Sequence, residues 1–360
     1  MILAGVKSVS LHDATPATWL DLAAQFYLTE ADLGAPRAAA CVAKLAELNP
    51  YVRVTNRSAE ALTSEAFLSQ FQCVVMVNAP LDAQLAVNNF CHANGKQFIG
   101  CEVAGVFGSV FCDFGEAFVV SDANGEPVSS CIVSSVTQAN PALVTVLDDT
   151  RHNLETGDFV ELDGCGGMET LGGGRRFKVT VKDPFSFELD GVDTTDMGPY
   201  TTGGYANQVK VPQTLRFAPL RESLAAPGEF VLSDFAKLDR PGLLHTAFRG
   251  LHAWKKAHGG GLPLPGDAAT AAEVLACAVA VNAAATEGGK AEFAVDAADL
   301  APGSQGAKLV EALACTAAGV LNPMCAFLGG VAGQEVLKAC TGRFTPLRQF
   351  AYFDWLEARP

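Results

Sequence analysis

The chain has 360 residues, 49% of them apolar and 18% charged, which is a globular composition long enough for two or three domains and unlike a disordered or fibrous chain. Acidic residues outnumber basic ones by 39 to 25, giving a net charge of −14; that field repels phosphate backbones and argues against nucleic acid, while it would draw in a basic protein partner. The eleven cysteines lie no closer than ten residues apart, so no CxxC pair exists for zinc or redox work, and thiols inside apolar runs point to a reducing compartment. No run of about twenty apolar residues occurs, so no membrane span is expected. The opening MILAGVKSVSLHD has no signal-peptide pattern and reads as the tail of a helix running into a strand.

Residues 1–114 alternate strands and helices. SVSLHD is a strand ending at Asp13, and PRAAACVAKLAELN is a helix with Pro36 in its first turn and Cys41, Val42, Leu45 and Leu48 on one face. YVRVT is a short strand, and QCVVMVN is a continuous apolar run of the kind buried on both sheet faces. DAQLAVNNFCHANG is a helix, and KQFIGCE and GSVFCDFG are strands. The alternation predicts an α/β layer with a mostly parallel sheet. Residues 115–212 change character: EAFVVSD, SCIVSSVTQ, ALVTVLD, DFVELD, RRFKVTV and FSFELD are short strands with turn signals between them, a small antiparallel β-domain. The glycine-rich GCGGMETLGGG among them reads as a mobile hairpin. Residues 213–318 are helical, with Leu243, Leu244, Ala247, Phe248, Leu251 and Trp254 forming one stripe and two alanine-rich helices after it, a small bundle. Residues 319–360 read helix, turn, strand, with Gly342 as the residue past the helix end, and return to the opening layer. The β-domain and the bundle are thus insertions.

Chemistry is sparse. No GxGxxG, GxxxxGK[ST] or GxSxG motif occurs. An acid at the end of a strand, as Asp13 is, binds a ribose hydroxyl in dinucleotide folds, but no glycine turn fits before Val6; a turn residue is the alternative. No fold analogy alone supports a nicotinamide enzyme. Of the six histidines none forms HxxxH; His245 and His252, seven apart, share a helix face without a third metal ligand and read as structural. Cys340, with Lys338 and Arg343 nearby, comes closest to an electropositive thiol, yet its apolar helix favours a core role.

Several long stretches resemble one family. HDATPATWLDLAAQFYLTEADLGAPRAAACVAKLAELNPYVRV is similar to the non-catalytic adenylation half of ubiquitin-activating enzymes. FGSVFCDFGEAFVVSDANGEP, LDDTRHNLETGDFVEL, SDFAKLDRPGLLHTAFRGLH and FLGGVAGQEVLKACTGRFTPLRQFAYFDWLE continue the resemblance in the family's order over essentially the whole chain. It implies an inactive ThiF-type, Rossmann-like adenylation domain in residues 1–114 and 319–360. The first catalytic-cysteine half-domain (115–212) and a four-helix bundle (213–318) would be inserted in it. Active halves of the family carry an Asn and an Arg that handle ATP and the adenylate; in the equivalent DLAAQF those places are Ala23 and Ala24, which can neither donate to phosphate nor neutralise charge. Gln25 remains and is expected to pack or bond structurally.

Family members carry a longer stretch before ILAGVKSV, which supplies a first strand and helix and an arginine for the partner half's ATP site. The resemblance therefore implies a chain truncated at both ends, with apolar surface exposed where those elements would pack. It also implies no catalytic, cofactor or metal residues in this chain; ATP and Mg²⁺ would be bound by the active half. The expected partners are ubiquitin or a ubiquitin-like modifier and that active half, buttressed through residues 327–340, with the β-domain helping to hold the modifier, in cytoplasm and nucleus. The alternative is a stand-alone inactive binding module for such a modifier or for a partner adenylation subunit.

Overall fold

A computed structural model of the chain describes residues 1–230, 237–287 and 294–356. Parts of the motif beginning SDFA and of the final FDWLE, and residues 288–293 of the helical region, lie outside them. Two units are distinguished: Met1–Phe118 with Thr214–Gly342 and the segment from Pro346, and Val119–Gln213 with Arg343–Thr345.

The first unit opens with β1 (Ser8–Leu11), α1 (Arg37–Ala46) and β2 (Arg53–Asn56), and β1 and β2 pair in parallel with Ser8 opposite Arg53. Then come α2 (Glu65–Leu68), β3 (Cys73–Val77), α3 (Leu81–Ala93), β4 (Gln97–Ala104) and β5 (Phe107–Asp113). β3 runs parallel to β4, but β4 and β5 are antiparallel, joined by a tight turn in which Gly105 has φ +62°. So short a link cannot make the crossover that a parallel pair requires, and the expected mostly parallel sheet is in fact mixed. β3 was expected to be buried on both faces. Only Met76 is buried, and Val77 is 61% exposed, because among the described residues β3 pairs with β4 alone.

The second unit lies between the short strands β6 (Phe118–Val120) and β13 (Gln213–Leu215) in sequence. Its strands are β7 (Ser130–Val136), β8 (Ala142–Val146), β9 (Phe159–Asp163), β10 (Arg176–Asp183), β11 (Ser186–Leu189) and β12 (Tyr205–Val209). They close into a six-stranded antiparallel barrel in the order β10-β11-β8-β7-β12-β9, which leaves no strand edge to pair with another chain. Alternate residues such as Val144, Val160, Val179 and Phe187 point inward and are fully buried. The glycine-rich stretch is not a loose hairpin. Cys165, Met168 and Leu171 are buried in the barrel core, and Gly166 bridges to Thr202. Gly167, at φ +81°, sits where a Cβ would strike the Pro199 carbonyl oxygen, so the glycines serve close packing.

The chain returns to the first unit through α4 (Leu220–Ala225), α5 (Arg240–Ala257), α6 (Ala268–Glu287), α7 (Gln305–Thr316), α8 (Asn322–Thr341) and β14 (Phe350–Asp354). α5, α6 and α7 pack on one another; a Cβ on Gly250 would stand 2.8 Å from the Ala278 backbone, so α5 and α6 cross nearly in contact. The Leu244, Phe248, Leu251 and Trp254 stripe of α5 joins Phe98, Phe107, Phe111, Phe350 and Tyr352 in one core. α6 has a window, Ala268–Ala285, with mean hydropathy 1.6, long and apolar enough by composition to cross a membrane although polar residues interrupt it, so the expectation of no such segment is corrected. Alanine raises the hydropathy there without bulk, and the helix carries Glu273, which accepts from the Trp254 indole at 2.9 Å, and buried Asn282, which exchanges two hydrogen bonds with the Val295 backbone. α8 lies against β3, β4 and β5, where Leu328 fills the space over Gly108, and it ends at Gly342 with φ +63°, the left-handed C-terminal cap. β14 pairs antiparallel with β5, so the last segment does complete the opening sheet.

Candidate functional site

The strand-end acid Asp13 is the residue from which a nucleotide site would be built, and the structure shows what it binds. The segment from Thr15 to Ala35 folds back so that Ala17 and Ala35 pair, which brings the first residue of α1, Arg37, over the end of β1. Arg37 Nε donates to Asp13 Oδ2 at 2.8 Å, and its NH1 donates to Asp21 Oδ1 at 2.6 Å. One guanidinium fork thus grips two carboxylates. The remaining Asp13 oxygen accepts from the Thr15 N–H at 2.9 Å, and the other Asp21 oxygen accepts from the Thr18 N–H and hydroxyl at 2.8 and 2.7 Å. Burial alone would raise the Asp21 carboxyl, but the Thr18 hydrogen bonds and Arg37 outweigh it and hold it below its ordinary value. Burial disfavours the Arg37 charge, and Asp21 and Asp13 overcome that too, so the guanidinium is held more firmly charged.

Arg37 was not singled out from the sequence. The signal was available: an arginine at the first turn of the helix that follows a strand-end acid. Ala23 is exposed and Ala24 half-buried, on and just after a short 3-10 turn over Asp21–Ala23. Gln25 is exposed; its backbone N–H donates to the Asp21 carbonyl at 2.8 Å and its side-chain Oε1 accepts from the Tyr27 N–H at 3.5 Å, so it bonds within the turn and is not packed in a core. Beneath lie Ala17, Leu28 and Cys41 in a small apolar cluster. Lys44 closes the far side, donating to the Tyr27 carbonyl at 2.7 Å and to Asp32 at 2.8 Å, and with Thr29 it holds the Asp32 carboxyl down at about 2. Phe26, 90% exposed, and Trp19, 67% exposed, stand out from this surface.

The histidines and thiols do not assemble a second site. His245 bonds the Tyr352 hydroxyl at 2.7 Å and the Leu224 carbonyl at 3.0 Å, and burial, with Arg249 nearby, pushes its pKa down to about 3, which leaves it neutral. His252 instead meets Glu102 at 2.9 Å, itself bonded to Gln84 at 3.2 Å, so the pair splits between separate partners. A cavity of about 20 Å³ beside Glu102, Ser109, Arg249 and His252 has room for roughly one water. Burial pushes the Cys340 thiol up, and Lys338 is committed to Glu335 at 2.5 Å, so the electropositive setting weighed for Cys340 is not formed. Among the described residues no group of three His, Cys, Asp or Glu is placed to hold a metal ion.

Residues 139–210 match the model of the ubiquitin-activating enzyme E1 FCCH domain, and residues 211–282 match that of the ubiquitin-activating enzyme E1 four-helix bundle. The human ubiquitin-like modifier-activating enzyme 1 is 45% identical over 360 residues, all of this chain and 32% of that protein. Ubiquitin-activating enzyme E1 2 of Triticum aestivum is 42% identical over 362 residues, again all of this chain and 33% of the relative. The chain is homologous to the N-terminal part of ubiquitin-activating enzymes. It spans about a third of the length of the curated relatives it matches. The FCCH match covers the barrel from β8 to β12, and the bundle match runs from β13 into α6. A solved E. coli MccB structure with succinimide aligns over 30% of this chain and 33% of its own at 16% identity and a TM-score of 0.27, too slight a likeness to bear on the fold.

Proposed function

We propose that this chain is the non-catalytic N-terminal part of a ubiquitin-activating enzyme. In this reading it is a Rossmann-like, ThiF-type half-domain carrying an inserted barrel and an inserted helical bundle. It supports the ATP-dependent adenylation and thioester activation of ubiquitin or a ubiquitin-like modifier, with the chemistry performed outside these residues. The observation that carries the reading is the 45% identity with the human enzyme over all of this chain.

The residues around Asp13 do not fit ATP and Mg²⁺. Both Asp13 oxygens are engaged, one by Arg37 and one by the Thr15 N–H, and Ala23 and Ala24 offer no donor for a phosphate. No step of adenylation is therefore assigned to this chain. Its work is positional: α8 buttresses the active adenylation half, and the barrel helps to hold the modifier. The net charge of −14 suits a basic modifier surface. Eleven free cysteines suit a reducing location, cytoplasm and nucleus.

The test is ATP–pyrophosphate exchange with ubiquitin. This chain alone is expected to give none, while a chimera in which it replaces the matching third of the human relative is expected to restore exchange. Exchange by the chain alone, or a folded chimera without exchange, overturns the reading.

A further inference from the structure

Where the chain leaves the first unit and where it returns, the two segments are fastened by one side-chain cluster that the proposed function does not use. Asp113, the last residue of β5, is fully buried. Three groups meet its carboxylate: Asn88 Nδ2 at 2.8 Å, the Gly115 N–H at 2.9 Å, and the His92 ring at 3.0 Å from both oxygens. Asn88 and His92 lie one turn apart on the same face of α3, and His92 sits in the helix's last turn, where a cation is favoured by the helix dipole. Asn88 also accepts the Leu220 N–H at 2.7 Å, which ties the start of α4 to the same point. The Phe217 N–H donates to the Gly115 carbonyl at 3.0 Å, and the rings of Phe114, Phe118 and Phe217 meet edge-on and tilted with centroids 5.0–6.4 Å apart.

The other ring nitrogen of His92 faces a second carboxylate, Glu116, at 3.4 Å, and Glu116 is held in turn by Arg216 at 2.5 Å. The acceptor count decides the protonation state this geometry wants. A carboxylate only accepts, so both ring nitrogens must donate for both contacts to be hydrogen bonds, and only the imidazolium has two N–H groups. A neutral ring keeps one, and the longer Glu116 contact is the one it loses.

We propose that His92 is a pH-operated latch: doubly protonated, its ring joins buried Asp113 to surface Glu116, which pins the outgoing segment 113–118 to the end of α3 and holds Glu116 where Arg216 of the returning segment 214–220 grips it. The charges that act on the ring are those of Asp113 and Glu116, with Arg216 behind Glu116. On its own helix, Cys91 is kept protonated and neutral by burial, its thiol pushed up to about 12. Lys96, just past the helix, is turned to the Ser69 carbonyl at 3.1 Å. Burial pulls the ring's pKa down, and the hydrogen bonds and charges of Asp113 and Glu116 outweigh it, so His92 titrates above the ordinary histidine value of 6.5. For a group raised on folding, the stabilisation is complete below the ordinary value and disappears as pH climbs through the raised one. The latch is closed below 6.5 and opens as pH climbs through the raised value.

Hydrogen exchange of the amides in 113–118 and 214–220, corrected for intrinsic rates, tests this. In the native chain these amides are expected to open about tenfold more often near pH 9 than near pH 6, and in His92→Gln not to change over that range. If His92→Gln does not fold, the His92 ring followed by NMR in the native chain must titrate above 6.5. Titration at or below 6.5, or native protection that does not differ between the two conditions, overturns the proposal.

Discussion

Asp13 and Asp113, two of the aspartates at strand ends in the first unit, are compensated by different means. Asp13, after β1, keeps 34% of its side chain exposed and is met by the guanidinium of Arg37. Asp113, at the end of β5, has none exposed and is met by an amide, a backbone N–H and an imidazole. A guanidinium brings five donors and a charge that does not titrate, which suits a rim position where water takes the surplus donors. At Asp113, which has none of its side chain exposed, those donors would need partners too, and a ring with two nitrogens matches the acceptors present. The rim acid is thus closed by a constant charge and the buried acid by one that pH can remove.

The comparison is broken most severely at the buried end. Asp113→Ala leaves the Asn88 amide, the Gly115 N–H and the His92 ring without their acceptor in the interior. A loss of about 3–5 kcal/mol is expected in urea unfolding followed by far-UV circular dichroism. A loss under about 1 kcal/mol would mean that burial adds nothing over the rim site. Arg37→Ala should cost less, about 1–2 kcal/mol after allowance for solvent screening, since Arg37 is 36% exposed. Its pH dependence separates the two sites. Asp21's carboxyl is held below its ordinary value of 3.8, so what Arg37 contributes there is present above that value and is lost as pH falls through the lowered one. The Arg37→Ala deficit should therefore be constant across the mild acid to mild alkali range in which the His92 contribution disappears. A deficit that shrinks over that range would show that the rim pair titrates as well.

What the sequence allowed to be read follows the same division between local and distant causes. β4, β5 and six of the strands from Phe118 to Leu189 lie where apolar alternation and turn residues put them, and Gly342 caps α8, because these signals sit within a few residues of what they control. β12 was not foreseen. Of Tyr205–Val209 only Ala206 is buried, so the strand carries almost no periodic signal, yet it closes the barrel by pairing with β7 and β9, contacts set by residues more than forty positions away. The glycines of 164–174 were read for their freedom; what decided their structure was the interleaved Cys165, Met168 and Leu171, which the barrel end buries. Asp13 was legible as a strand-end acid, and its partner was not, because a salt bridge across 24 residues depends on how the intervening loop folds back.

The smallest expected effect concerns Ala23 and Ala24 beside the rim site. Ala23→Asn with Ala24→Arg supplies the two side chains whose absence suggested an inactive half. Ala23 is exposed and Ala24 half-buried, so stability should change by no more than about 0.5 kcal/mol. Isothermal titration with ATP and Mg²⁺ is still expected to show no binding, because the new groups leave Arg37 on Asp13 and Asp21. Saturable binding by this double variant would show that the two alanines alone keep ATP from this surface and reduce Arg37 to an ordinary surface pair. No binding is the outcome expected of a site in which both Asp13 oxygens are already engaged and no glycine-rich phosphate loop is present, since two added side chains supply neither.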